Sequence, residues 1–333
     1  LELSNKKIVV TGGCGLIGST IIDQLLEADP TLRVVVLDNL SRGTLLNIEP
    51  ALASGRVELV REDIRYFDRI RPHFDGADAV FHQAAIRITR CAQEPRECLE
   101  VLVDGTFNVL QACVEAGVRR VVAASSASIY GLAEVFPTPE THHPYNNRTW
   151  YGAAKVADEG LLRSFNDMYK LNYVALRYFN VYGPRMDVFG KYTEVLIRWL
   201  DCLDQGQAPK IFGDGQQTMD FVYVDDVARA NVLAMQSDVS DEVFNVARGE
   251  ETSLLGLLEA LLRVTGNEHV RPEFLPERAV NPVPRRLADT SKARRMLGFT
   301  ASVGLEEGLR RLVAWRREVL RRGQQAAYEG SRS

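Results

Sequence analysis

The chain has 333 residues, of which 46% are hydrophobic and 25% charged, an ordinary globular composition long enough for one large core or two lobes. A net charge of −4 gives no support for nucleic-acid binding or for an anionic membrane surface as partner. No apolar run approaches the ~20 residues of a membrane helix, and no signal-peptide pattern opens the chain. The five cysteines (Cys14, Cys91, Cys98, Cys113 and Cys202) are odd in number, scattered and without zinc-ligand spacing. Free, mostly buried thiols, no metal site and a reduced cytoplasm are therefore expected.

In chain order, Ile8–Thr11 reads as a buried strand and Ile17–Ala28 as a helix, with Ile17, Ile21, Ile22, Leu25 and Leu26 at helical spacing. Arg33–Asp38, Val57–Arg61, Ala79–Gln83 and Val121–Ser125 are further short strands. Between the last two lies a long helical stretch ending near Gly117, a suitable C-cap residue. Alternating strands and helices, with nearly continuous apolar strands, predict α/β architecture: a parallel sheet covered on both faces. Right-handed crossovers make a doubly wound (Rossmann) fold the expected outcome. Beyond about residue 180 the pattern loosens, punctuated by Gly183-Pro184, Gly190, Ala208-Pro209 and Gly213–Gly215. Val222–Val224 and Val243–Val246 look like strands, and the Pro-rich stretch 272–284 like a surface loop. Leu305–Leu320 reads as an amphipathic helix, and Gln324–Ser333 as a frayed tail.

The segment Thr11-Gly12-Gly13-Cys14-Gly15-Leu16-Ile17-Gly18 joins the first strand to the first helix. It fits G-x-G-x-x-G as Gly13, Gly15 and Gly18, and also carries a Gly12/Gly15/Gly18 spacing. Glycines permit the tight turn and the approach of backbone N–H groups to a pyrophosphate, and the helix N-terminus adds partial positive charge. Asp38 ends the second strand about 20 residues beyond Gly18, where an acid binds adenosine ribose hydroxyls. A carboxylate there repels a 2′-phosphate and favours NAD over NADP, although Arg42 stands close by. The alternative is a simple turn residue before Asn39. Asp63 is either an acceptor for the adenine amino group or a surface acid at a strand end.

Tyr151 and Lys155 lie four residues apart in a helix-like segment, on one face. A tyrosine is a poor base at neutral pH unless a neighbouring ammonium favours its phenolate. The pair alone is a weak signal. Ala124–Gly131 strengthens it, because Ser126 emerges at the carboxyl end of a buried strand, where open α/β sheets bind ligands.

Together these segments resemble the extended short-chain dehydrogenase/reductases, the NAD-dependent nucleotide-sugar epimerase/dehydratase family, and within it the UDP-glucose 4-epimerase type. Phe81–Ala85, Arg177–Arg185, Phe212–Gly215, Asp220–Asp226 and Ala288–Ala293 extend the resemblance over nearly the whole chain. The resemblance implies Ser126, Tyr151 and Lys155 as the catalytic triad and NAD as the cofactor. It implies cofactor contacts from Gly12, Gly15, Leu16, Ile17, Gly18, Asp38, Asn39, Ser41, Arg42, Gly43, Asp63, Ile64, Gln83, Ala84, Ala85, Tyr151, Lys155 and Tyr178. Substrate contacts fall to Arg87, Ser128, Asn180, Arg185, Phe212 and Arg278. It also implies a nucleotide-diphosphate sugar as substrate, most simply a UDP-sugar, and a homodimer formed through the 100–116 and 152–169 stretches. The expected division is an NAD-binding domain over 1–180, with strands from about 221–247 added, an interleaved substrate lobe over 181–323 and a tail over 324–333.

Relatives that dehydrate the sugar carry an Asp-Glu pair just after the catalytic hydroxyl residue, and relatives that decarboxylate carry a glutamate where this chain has Ser128. Here the pair is Ala127-Ser128, which resembles the 4-epimerases. A uronate 4-epimerase is the alternative, with Arg87 and Arg185 holding the sugar carboxylate; each equally suits a phosphate or the cofactor. Met219 stands where the family commonly has a diphosphate-binding arginine, and Glu277–Pro284 replaces its Arg-Pro-Gly-Asp stretch, with Arg278 as the substitute. A net keto-sugar reductase and a non-catalytic NAD-binding protein are further readings.

Overall fold

Seven runs of mostly apolar residues pair into one parallel sheet: β1 (Lys7–Thr11), β2 (Arg33–Leu37), β3 (Val57–Val60), β4 (Ala79–His82), β5 (Arg120–Ser126), β6 (Asn172–Tyr178) and β7 (Glu242–Val246). The computed structural model describes residues 2–188, 194–276 and 283–330, with side chains described as far as Gly323. The strands lie in the order β7-β6-β5-β4-β1-β2-β3. The chain leaves β1 toward one edge and β4 toward the other, so a crevice opens between their carboxyl ends.

Among the described residues, seven helices reach ten residues: α1 (Leu16–Ala28), α2 (Gly105–Glu115), α3 (Trp150–Tyr169), α4 (Val195–Asp204), α5 (Val224–Gln236), α6 (Leu254–Thr265) and α7 (Leu305–Gly330). Alternation along β1 sends Ile8 and Val10 into the core under α1 and α5, and Val9 into the core under α2 and α3. Each fully buried side chain of this kind contributes about 2 kcal/mol. Both faces are thus covered, which is why these strands are apolar throughout.

A third core, built from α4, α6 and α7 with Tyr182, Ile211 and Tyr223, forms the smaller lobe. Three two-stranded ladders tie it together: Asn180–Tyr182 with Phe221–Tyr223, Lys210–Phe212 with Glu273–Leu275, and Thr218–Met219 with Thr252–Ser253.

Several sequence expectations change. The strand near Val222 leaves the main sheet, and from the 221–247 region only β7 joins it, beside β6. β6 itself was not anticipated. The long helix before Gly117 is four pieces: Ile88–Gln93, Pro95–Leu99, a π-helical turn at Glu100–Asp104, and α2. Pro95 cannot continue the first of them. The Pro-rich stretch contributes a strand, Glu273–Leu275, and its residues 277–282 lie outside those described. α7 continues through Gly330, so most of the expected tail is helical backbone.

The expectation of free thiols is corrected at one pair. Cys91 and Cys98 form a buried disulfide, because the turn at Glu94-Pro95 folds two short helices back until the Cα atoms are 4.8 Å apart. Cys14 and Cys113 remain buried thiols; burial, aided by Asp38, pushes Cys14 up to about 12.

His82, buried at the end of β4, is bonded on both ring nitrogens, to Thr11 Oγ1 at 2.7 Å and Thr106 Oγ1 at 3.0 Å. Burial, with the charge of Lys155, pushes it down to about 3. Between that value and the ordinary 6.5 the unfolded chain binds the extra proton, so this group's share of stability falls as pH drops through 6.5. The loss at pH 5 is about 2 kcal/mol. Urea unfolding at pH 7 and pH 5 is expected to show a drop shallower by about that amount in His82→Gln than in the parent, whereas equal drops contradict the assignment.

Candidate active site

β1 ends at Thr11, and the chain turns at once. Gly12 has φ +67°, and a Cβ there would lie 2.7 Å from the Ala84 nitrogen, so the turn packs backbone against backbone at the end of β4. At Gly18 a Cβ would strike the Gly12 carbonyl and lie 2.8 Å from Gly13 Cα. Gly15 is the residue before α1, and no side chain caps the helix. The first-turn N–H groups of α1 are therefore left to an anion, and the glycines keep the approach open. This is a cradle that fits a dinucleotide pyrophosphate.

Asp38 tethers the same loop. Its Oδ2 accepts from the Cys14 N–H at 2.9 Å and its Oδ1 from the Leu40 N–H at 2.8 Å. Burial raises its pKa against those two bonds, and one lone pair on each oxygen remains for ribose hydroxyls. Asp63, at the end of the β3 segment, accepts from the Arg65 guanidinium and N–H and from Asn39 Nδ2 at 2.8 Å. Burial opposes its charge, but Arg65 and Asn39 hold the carboxyl below the usual range. Asp63 is thus a brace between two loops rather than a free surface acid. Gln83 and Tyr178 join through Asn231: the Tyr178 hydroxyl donates to Asn231 Oδ1 at 2.9 Å, and Gln83 Nε2 donates to the same oxygen at 3.2 Å.

At the end of β5 the chain enters a short 3-10 turn, Ala127–Tyr130, capped by Ser126, whose Oγ accepts from the Ser128 N–H at 3.1 Å. Asn147 donates to the Ser128 carbonyl at 3.1 Å and accepts from the Thr149 N–H at 3.0 Å. Thr149 in turn caps α3 through the Gly152 N–H at 3.1 Å. This chain of bonds fixes the first turn of α3, and with it Tyr151, against the turn that carries Ser126. One turn further along, Lys155 is 2% exposed, and its Nζ donates to the Ala124 carbonyl at 3.1 Å and Asp158 Oδ2 at 2.9 Å. Burial opposes the ammonium, but Asp158 and then Tyr151 outweigh it and keep its pKa above the ordinary value. Lys155 is thus a fixed positive charge beneath Tyr151.

A single cleft of about 2690 Å³ is lined by every catalytic, cofactor and substrate contact expected from the sequence within the described regions, from Gly12 to Phe212, whereas Gly13 packs against Val36 instead. Arg278 lies outside the described residues. Asn180 donates to the Asp220 carbonyl at 3.3 Å. Arg87 and Arg42 both pair with Glu194, at 2.7 and 3.2 Å, across the junction of the two lobes. Arg185, at φ +73°, pairs with Asp23 on α1 at 2.5 Å.

Asn147, Asp158 and Glu194 were not singled out from sequence. Asp158 has a legible signal, an acid three residues after Lys155 on the same helix face. Glu194 has none, since Arg42 and Arg87 are remote in the chain, and Asn147 shows only its local bond to Thr149, not the one to Ser128 nineteen residues away.

Residues 8–247 match the NAD dependent epimerase/dehydratase family. The chain belongs to that family. It is 38% identical over 311 residues to a UDP-glucose 4-epimerase of Mycolicibacterium smegmatis, covering 92% of this chain and 97% of the relative. Among solved structures it resembles a UDP-glucose 4-epimerase of Thermotoga maritima determined with UDP-glucose, with TM-score 0.88, 35% identity and 94% and 99% of the two chains covered. It also resembles a UDP-glucuronic acid 4-epimerase of Bacillus cereus determined with UDP-glucuronic acid and NAD, with TM-score 0.86, 28% identity and 94% and 99% covered. NAD is the cofactor of this family, and the cradle at Gly12–Gly18 fits it.

Gly18→Ala places a methyl group against the Gly12 carbonyl and closes that cradle. The purified variant is expected to lose most of its bound NAD, read by chromatography of the nucleotide released on denaturation. Full NAD content in this variant contradicts the assignment.

Proposed function

We propose that the chain is a nucleotide-sugar 4-epimerase acting on UDP-sugars. Ser126, Tyr151 and Lys155 are its catalytic residues, and the NAD contacts are those named on the Gly-rich loop, Asp38 and the ends of β3 and β4. The observation that carries the reading is the turn after Ser126, which buries Ala127 and offers the cleft only the hydroxyl of Ser128. No carboxylate follows Ser126 to expel water or to act on a uronate, so the turn itself offers a keto-sugar no acid–base group for an exit other than reduction.

Tyr151 takes the C4 hydroxyl proton, with Ser126 sharing that hydrogen bond. Lys155 favours the phenolate electrostatically and, held by Ala124 and Asp158, spends none of its positional freedom doing so. The Gly12–Gly18 cradle and Asp38 would hold NAD, which would supply reversible hydride acceptance for the hydrogen on C4. Tyr151 then gives the proton back after the keto-sugar has turned its other face. No net redox follows, so the cofactor stays with the protein.

Arg87 and Arg185, to which a carboxylate role is assigned from sequence, each pair with an acid, Glu194 and Asp23, yet Glu194 is shared with Arg42, and Arg87 Nε and Arg185 Nη1 have no partner among the described residues.

Incubation with UDP-glucose, UDP-N-acetylglucosamine and UDP-glucuronate, with products resolved by NMR, is expected to give C4-inverted sugars without added cofactor. Loss of water or CO₂ contradicts the proposal. Tyr151→Phe is expected to lower kcat about 100-fold or more while NAD stays bound; unchanged turnover removes Tyr151 as the base.

A further inference from the structure

Most cations of the cleft are paired with an acid: Arg42 and Arg87 share Glu194, Lys155 meets Asp158 and Arg185 meets Asp23. Arg286 differs. It lines the cleft and is partly buried, and among the described residues it is the cleft cation that is neither exposed nor paired with an acid. Burial with no compensating charge pulls its guanidinium down to about 10. Its side chain makes one hydrogen bond, from Nη1 to the Ala127 carbonyl at 2.5 Å. A carbonyl offers only partial charge, so the guanidinium meets no acid among the described residues.

The backbone holds the residue in place. The Thr218 N–H donates to the Pro284 carbonyl and the Arg286 N–H to the Thr218 carbonyl, both at 2.9 Å, beside Met219. The guanidinium therefore reaches the catalytic turn from the substrate lobe. Ala127 lies between Ser126 and Ser128, both of which face the cleft. An anion that meets Arg286 there belongs to the reacting sugar rather than to the diphosphate. Charge around that point agrees: residues 127 and 128 carry none that would repel an acid.

We propose that Arg286 pairs with a carboxylate on the sugar, on the ring carbon beside C4, so that the substrate class is a nucleoside diphosphate uronate. This rests on the 4-epimerase reading above and moves the carboxylate site from Arg87 and Arg185 to Arg286. A planar fork and a planar carboxylate pair bidentately, and a desolvated cation gains more from that partner than from a hydroxymethyl group. An isosteric neutral sugar leaves the charge unmatched, which is how a buried polar site rejects a near analogue.

The test uses the NAD-bound full chain with UDP-glucuronate and UDP-glucose. Wild type is expected to prefer UDP-glucuronate in kcat/KM by about 100-fold or more. Arg286→Ser is expected to cut that preference by about 100-fold, mainly through KM, and Arg286→Lys to keep part of it. Bound NAD in each variant reports folding, and calorimetric titration of UDP-glucuronate should show the same order of affinities. A wild-type preference near one, or equal losses on both substrates in Arg286→Ser, overturns the assignment and leaves the epimerase reading intact. A pentose product from UDP-glucuronate, with CO₂ released, overturns the epimerase reading instead.

Discussion

The site depends on one buried ammonium. Lys155 is held from below by the Asp158 carboxylate of its own helix and from the side by the Ala124 carbonyl at the end of β5. A buried pair of this kind is worth little as net stabilisation, but removing either partner costs about 3–5 kcal/mol, so the geometry is strongly fixed. Because one bond runs within α3 and the other to the sheet, Lys155 sets both the height and the rotation of α3 relative to β5. Tyr151, one turn earlier, and Ser126, two residues beyond Ala124, inherit their juxtaposition from it.

A second buried pair supports the same junction. Glu159, next along α3, accepts the Arg177 guanidinium from β6 through two bonds at 2.8 and 2.7 Å and also the Ser125 hydroxyl at 2.6 Å. Arg177 in turn donates to the Tyr130 hydroxyl at 2.9 Å, and Tyr130 donates to Asn245 on β7 at 2.6 Å. Catalytic turn, helix and strands β6 and β7 are thereby locked into one polar network, fully hydrogen-bonded at its centre. Placing it beneath the cleft leaves the cleft itself open to charged ligands.

The doubly wound fold and the glycine cradle were legible in the sequence because they rest on local patterns: apolar runs, glycine spacing and an acid at a strand end. Tyr151, Lys155 and Ser126 were legible only jointly. β6 escaped because Arg177, a charged residue, interrupts its apolar run, and its charge is tolerated only through Glu159 on another element. The Cys91–Cys98 bridge escaped because a turn at Pro95, not a recognisable cysteine spacing, brings the two together. Arg87 and Arg185 attracted a substrate role from sequence because their acids, Glu194 and Asp23, are more than a hundred residues away. Arg286 drew no notice for the opposite reason: what distinguishes it is an absent partner, and no motif records that.

The central claim is that one hydrogen leaves C4 and returns to the same carbon. A UDP-sugar deuterated at C4, turned over in ordinary water, tests it directly. The account predicts that both the inverted product and the recovered substrate keep deuterium at C4 while no hydrogen from solvent enters that position. Wash-out of the label from C4, or its transfer to another carbon, would contradict it.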